Sequence, residues 1–279
     1  MLKKNWKNRG MIAEILEEDR RLRMAYKGFS KRKKLVKIFE DFINEFLIDT
    51  ELTPLEIINL YNSFLKLYLQ RCREFSAHGL YPFQVGEPRL FRRTDYDIAL
   101  NLSILFSEHR YRIIENLYGL QLDDNESVLI VGLGSGLEVD LLMKSNENKL
   151  INIDGYDMDM GQFVKKRFAG TINLFEEKFQ GNGRVYDKIV AIELLEHLLQ
   201  PYEFLQDCYN SLKKGGLCLC TAATNMPQDD HLYNFDNDDH FLSQVAEIGF
   251  HVDVKNDIIH KSNFRSINSK NTWYQLSKI

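Results

Sequence analysis

The 279-residue chain has only four cysteines and five prolines. Cys72, Cys208, Cys218 and Cys220 show neither the density of a disulfide scaffold nor a CxxC pair, so they read as reduced, buried small hydrophobes. No apolar run reaches the ~18–20 residues that a membrane span needs. The opening "MLKKNWKNRGMIAEILEEDRR" is charged and has no apolar stretch leading to small residues, which is not the pattern of a signal peptide. Together these absences predict a cytoplasmic protein. Internal repeats and low-complexity linkers are also missing. What is present is a 44% hydrophobic composition, enough for one large core or one core with a smaller appendage.

The net charge of −4 hides an asymmetry, because residues 1–37 hold 13 Lys/Arg against 4 Asp/Glu. The plain reading is the solvated face of amphipathic helices. The sharper one is a contact for an anionic partner, whether nucleic acid, an acidic substrate or another subunit's acidic face. Few aromatics (Trp6, Tyr26, Phe29) interleave these charges, so a nucleic-acid platform is the weaker expectation.

Up to about residue 120 the apolar spacing is helical. In "DTELTPLEIINLYNSFLKLYLQRC", Thr53 suits an N-cap, Pro54 the first helical position and Glu56 a capping box. Ile57, Ile58, Tyr61, Phe64, Leu65, Tyr68 and Leu69 then form one stripe. "SKRKKLVKIFEDFINEFLI" repeats the pattern, with Leu35, Ile38, Phe39, Phe42, Ile43 and Phe46 inward. "HGLYPFQVGEP" breaks it, and a further helix is expected from about Thr94 through "ALNLSILFSEHRYRIIENLYGL". After Asn125, short β-rich runs alternate with helices: "SVLIVGLG", "LINIDGYD", "DKIVAIEL", "GLCLCTAATN", "FHVDVKNDI" and "TWYQLSKI". That alternation predicts a mainly parallel sheet covered on both faces, with the last two runs pairing antiparallel at an edge.

"VLIVGLGSGLEVDLL" is a buried strand, a glycine turn and a helix start. Gly132, Gly134 and Gly136 would let a ligand approach the backbone, beside the free N–H groups of a helix N-terminus. A dinucleotide fingerprint needs a glycine where this chain has Leu137, so the pattern is GxGxG. The next strand ends at Asp157, placed to accept from both hydroxyls of a ribose. Asp159 competes for that role, Asp154 belongs to the strand, and Met158 is placed to lie on a purine face or to act as filler.

These features, with "YDKIVAIELLEHLLQPYEFLQDCYNSLKKGGLCLCTAATN" and the late "HFLSQVAEIGF", resemble in order the class I S-adenosylmethionine-dependent methyltransferases. The resemblance covers roughly residues 95–279. Its nearest flavour is the branch with ubiquinone-pathway O-methyltransferases and small-RNA 2′-O-methyltransferases. It implies an α/β, Rossmann-like sheet of seven strands with helices on both faces, preceded by an α-helical N-terminal domain. The expected division is residues 1–90, a helical substrate cover or oligomerisation region, and 91–279, the cofactor-binding domain. It also implies S-adenosylmethionine as cofactor, with the three glycines near its methionine part and Asp157 on the ribose. Two departures stand out. Ile130 occupies the usual place of an acid, a role that Glu138 or an N-terminal residue would have to fill. The third strand is blurred in "TINLFEEKFQ", leaving Glu176 and Glu177 as weak candidates for the adenine amine.

The fourth strand runs into "IVAIELLEHLLQP". Open α/β sheets bind ligands beyond the carboxyl ends of their strands, so Glu193 is expected beside the sulfonium. On a helical turn Glu196 and His197 would share its side. Three roles compete. Glu196 and His197 could fix the loop by hydrogen bonding. His197 could be a general base, with Glu196 and His231 as partners. Glu193, Glu196 and His197 could hold a divalent metal, a secondary reading, with His231 or His240 as a later ligand. For the acceptor wall the candidates are Arg92, Arg93, Tyr96, His109, His231 and Tyr233. The expectation is methyl transfer to an oxygen or nitrogen of a small molecule. The rivals are a nucleic-acid methyltransferase, a nicotinamide oxidoreductase and a non-catalytic homologue. A homo-oligomer through the N-terminal helices is a further expectation.

Overall fold

The computed structural model describes residues 10–30, 35–85, 92–181, 183–260 and 268–279. Trp6 and eight of the thirteen N-terminal basic residues fall outside these. The chain begins with helices α1 (Met11–Glu18), α2 (Arg20–Ser30), α3 (Val36–Asp49) and α4 (Pro54–His78), then a short α5 (Pro82–Val85). Helix α4 starts as its sequence dictates. Thr53 accepts from the Glu56 N–H, and the Glu56 side chain returns to the Thr53 backbone. Its apolar stripe is buried at Ile57, Ile58 and Tyr61, while Leu69 is exposed.

The expected single helix near residue 100 is two, α6 (Arg93–Phe106) and α7 (Glu108–Tyr118). Ser107 takes an extended backbone between them (φ −120°, ψ 124°). Serine competes with the helix for backbone hydrogen bonds, so it is a natural breaking point.

The remainder alternates: β1 (Ser127–Val131), α8 (Leu137–Ser145), β2 (Asn152–Tyr156), α9 (Gln162–Arg167), β3 (Asn173–Phe175) and β4 (Tyr186–Ala191). A 3₁₀ turn at Leu195–His197 precedes α10 (Pro201–Asn210), β5 (Leu212–Thr224), α11 (Asp238–Ile248), β6 (Phe250–Ile259) and β7 (Lys270–Lys278). The sheet has seven strands in the order β3-β2-β1-β4-β5-β7-β6. Strands β1 to β5 are parallel, and β7 lies antiparallel between β5 and β6. The blurred third strand is real but three residues long.

Two cores flank the sheet. One joins the N-terminal helices to α8, α9 and one sheet face, and Phe42 and Phe46 meet Phe163 edge-on at 5.6 and 5.3 Å. The other lies under α10 and α11 and includes Cys208, Cys218 and Cys220, all buried and unpaired. Strand order reverses between β1 and β4, which opens a crevice at their carboxyl ends. Among the described residues no helix is long and apolar enough to cross a membrane.

Candidate active site

The turn after β1 is shaped by its glycines. Gly132, Gly134 and Gly136 have φ of 78°, 52° and 85°, a region that side chains disfavour. A Cβ on Gly136 would stand 2.5 Å from the Phe168 ring, so that glycine serves packing. A Cβ on Gly134 would meet nothing within 4 Å; this glycine faces the open crevice. The Gly132 N–H donates to the Tyr156 carbonyl (2.8 Å), tying the turn to β2, and α8 starts directly after Gly136.

Asp157 stands at the tip of β2, against the same turn. Its Oδ2 accepts from the Gly134 N–H (3.1 Å) and its Oδ1 from the Asp159 N–H (3.0 Å). The Arg93 guanidinium of α6 adds contacts to both oxygens, at 3.3 and 3.2 Å. Met158 beside it is 73% exposed. Asp154 is structural, holding Asn173, Arg184 and Tyr186. Glu176 accepts from the Met160 N–H and from Lys165, so it is tied to the approach to α9.

At the tip of β4, Glu193 has φ 51°, a left-handed backbone that costs a non-glycine residue about 1–2 kcal/mol. Strain of this kind needs surrounding contacts to hold it. The Glu193 N–H donates to Thr221 Oγ1 (2.7 Å), Oε1 accepts from Asn271 Nδ2 (2.6 Å), and Oε2 accepts from Arg110 Nη1 (2.6 Å). Arg110 comes from α7, placed there by the break at Ser107. Glu138 completes this group, and burial raises its carboxyl despite the opposing charge of Arg110.

Glu196, on the 3₁₀ turn, is fully buried, and neither carboxylate oxygen has a hydrogen-bond partner. Burial, reinforced by Glu193, pushes its pKa well above the usual range. His197 Nδ1 lies 3.0 Å from the Asp230 carbonyl and 3.5 Å from the Asp230 carboxylate. A carbonyl only accepts, so Nδ1 carries the hydrogen and Nε2 keeps the basic lone pair. His231 is 2% exposed, its ring edge-on to His197 at 4.8 Å, and burial lowers its pKa to about 3. Glu196, His197 and His231 each offer one atom within 4.8 Å of the others. Glu193 is not in this group; the structure spends its carboxylate on Arg110 and Asn271. Nor is His240, whose ring packs on Tyr202 at 5.6 Å.

The loop after β5 that carries Asp230 and His231 is clamped by the N-terminal helices. Arg71 of α4 forks onto Asp229, and the Tyr81 hydroxyl donates to Asn234 (2.9 Å) while accepting from the Met226 N–H (3.0 Å). Tyr96 lies beside Asp230. Phe64, Tyr68, Tyr96 and Asp230 border a cavity of about 20 Å³. The other wall candidates are engaged with protein groups: the Tyr233 N–H donates to the Glu196 carbonyl (3.0 Å), and His109 reaches the Glu193 group through His260 and Asn271. His109 stacks on His260 at 3.6 Å, Tyr233 packs on Tyr202 and Phe235, and Arg92 forms an exposed pair with Asp95. Sequence reasoning missed Arg71, Arg110, Asp230 and Asn271. Only Asp230 carried a signal, as the acid next to His231 on a loop beyond a strand end.

These residues fit S-adenosylmethionine: an open face at Gly134, an acid for a diol at Asp157, and Glu138, Glu193 and Arg110 for the charged amino-acid end. A methyltransferase domain family matches residues 106–253, more than half of the chain. The chain belongs to that family, as a class I S-adenosylmethionine-dependent methyltransferase. Among solved structures, the pyocyanin biosynthetic protein PhzM superposes with a TM-score of 0.56 at 12% identity, covering 80% of this chain and 72% of its own. The cyclopropane synthase MmaA2 from Mycobacterium tuberculosis gives 0.51 at 14% identity, covering 61% and 84%. At such identities both establish a shared fold. Compared by sequence with curated proteins, the chain matches none.

Proposed function

We propose that the enzyme methylates an oxygen or nitrogen of a small-molecule acceptor, with His197 taking the acceptor's proton. One observation carries this reading: His197 is oriented through Nδ1 by Asp230, which leaves Nε2 as the base on the turn beyond the carboxyl end of β4. Bound S-adenosylmethionine supplies an electrophilic methyl group and a neutral thioether leaving group. Gly132, Gly134, Gly136 and Asp157 would hold the adenosyl part with Met158 on the purine, and Glu193 with Arg110 would border the methionine end. The acceptor's lone pair forms the new bond to carbon as the carbon–sulfur bond breaks, and its proton passes to His197 Nε2. Positioning supplies up to about 7–11 kcal/mol of such a reaction. The base adds about 10²–10⁴-fold.

The small-molecule reading is supported by the roof. Helices α4 and α6 close over the loop that carries Asp230, so protein roofs the face beside His197 and leaves less room for a nucleic-acid duplex than for a small acceptor. The test is calorimetric. Asp157→Ala should raise the Kd for S-adenosylhomocysteine by more than about tenfold, the loss expected for hydrogen bonds from two ribose hydroxyls to a charged group. Unchanged binding in that variant would refute the assignment.

Glu196 favours a second reading, in which it joins His197 and His231 in holding a divalent metal. A fully buried carboxylate with no partner on either oxygen is costly unless it is protonated or ligated. One hard oxygen and two imidazoles suit Zn²⁺ or Mn²⁺. Thermal stabilisation by either ion that disappears in both Glu196→Gln and His231→Ala would support it. Activity unchanged after exhaustive chelation would remove it.

A further inference from the structure

We infer that Arg93 is a latch that competes with the cofactor's ribose for Asp157 and so sets cofactor affinity. The inference rests on the assignment of Asp157 to the ribose. A carboxylate offers about four acceptor positions, two on each oxygen. All four are filled here. Oδ1 takes the Asp159 N–H (3.0 Å) and Arg93 Nη1 (3.3 Å); Oδ2 takes the Gly134 N–H (3.1 Å) and Arg93 Nη2 (3.2 Å). A ribose diol needs two of those positions. The backbone donors belong to the glycine turn and to the tip of β2 and cannot leave without unmaking both. The guanidinium contacts are the longer pair and come from a side chain.

Arg93 has somewhere to go. Its Nε lies 3.1 and 3.0 Å from the two oxygens of Asp97, one turn further along α6. Asp97 is 3% exposed, so this pivot is protected from water. The guanidinium can release Asp157, and the 2.8 Å bond from Nη2 to the Gly134 carbonyl, while keeping a buried counter-ion. Asp97 and Asp157 both hold this one cation, so a swing away from Asp157 leaves it with a counter-ion. The apparent Kd of a ligand equals its intrinsic Kd divided by the fraction of protein open to it. A latch closed about 70–90% of the time therefore weakens the cofactor roughly three- to tenfold.

The test measures Kd by calorimetry for S-adenosylhomocysteine and its 2′,3′-dideoxy analogue, on the wild type, Arg93→Met and Arg93→Lys. Methionine preserves the apolar stem, and lysine keeps the charge without the fork. A latch predicts tighter binding of the diol ligand in both variants, by roughly three- to tenfold for Arg93→Met, with the dideoxy ligand unchanged. A purely structural arginine would weaken both ligands together. Unchanged or weaker diol binding in both variants, with a wild type that binds, overturns the latch alone. If neither the wild type nor the variants bind S-adenosylhomocysteine, the cofactor assignment falls and takes the latch with it.

Discussion

Replacing Glu193 by glutamine should be among the most damaging single-atom changes this protein can suffer, and the contacts of Arg110 say why. The Arg110 side chain is 10% exposed, its Nη1 lies 2.6 Å from Glu193 Oε2, and its Nε has no hydrogen-bond partner. Glutamine would retain an oxygen for Asn271 and Thr221, but it would turn an NH₂ group toward a guanidinium that is already short of acceptors. Breaking a buried pair by removing one charge costs about 3–5 kcal/mol, because the other charge stays buried. At about 2–4 °C per kcal/mol for a chain of this size class, Tm should fall by roughly 6–20 °C. The opposite variant, Arg110→Met, should cost less, since Glu193 keeps Asn271 and Thr221. The double variant should be no worse than Arg110→Met, giving a coupling energy above about 1 kcal/mol in a double-mutant cycle. Urea unfolding at neutral pH measures all four corners, and salt should change them little because the pair is screened from solvent. A Glu193→Gln cost below about 1 kcal/mol, or strict additivity, would refute the claim that Glu193 anchors this buried cation.

Three further outcomes follow from other contacts. Burial raises the Asp97 pKa to about 6 although Arg93 opposes the shift, so a proton binds more tightly in the folded state. The stability this gives is complete below the unfolded pKa near 4 and is lost as pH rises through about 6. The stability of Asp97→Asn relative to the wild type should therefore rise by about 1–3 kcal/mol between pH ~4 and pH ~7.5, and a constant difference across that window in thermal melts would count against it. Gly134→Ala should fold with a loss of only about 1–2 kcal/mol yet bind S-adenosylhomocysteine over tenfold more weakly, because its new methyl enters the open crevice. Gly136→Ala should instead lose stability first, since its methyl meets Phe168, and equal behaviour of the two variants by calorimetry and thermal melts would undo this division of labour. His197→Gln should lower kcat by about 10²–10⁴-fold while leaving cofactor Kd unchanged, and a full-rate variant would end its role as base.

Local chemistry explains which parts of this fold could be read in advance. The capping box at Thr53 and Glu56, the glycine turn after Val131 and the place of Asp157 at the end of β2 are each set by residues a few positions apart, and each stands where the sequence pattern puts it. So does the mainly parallel sheet with its antiparallel edge, since its runs alternate with helices and the last two leave no room for a crossover, while the count of seven strands came from the family resemblance. The Ser107 break lay inside a continuous apolar pattern that gives no period change to detect. Strand β3 is so short that its half-buried residues show no alternation.

The charged interior of the site was hidden for a different reason. Arg110 and Glu193 are 83 residues apart, and Asn271 lies a further 78 beyond Glu193. Asp230 reaches His197 across 33 residues, and Arg71 reaches Asp229 across 158. No periodicity or spacing rule links such positions; only the reversal of strand order, which collects loop ends at one rim, brings them together. The same logic separates the two acids of "ELLEH". Spacing predicted that Glu193 and Glu196 share a side, and on a regular helix they would. A left-handed residue at 193 followed by a 3₁₀ turn sends one carboxylate to Arg110 and buries the other beside two histidines. That backbone twist lets one short segment supply two electrostatically distinct groups, an acid neutralised by Arg110 and an unpaired one beside His197 and His231. The strain at Glu193 is thus part of how the site is divided, and the contacts of Arg110, Asn271 and Thr221 are what hold it in place.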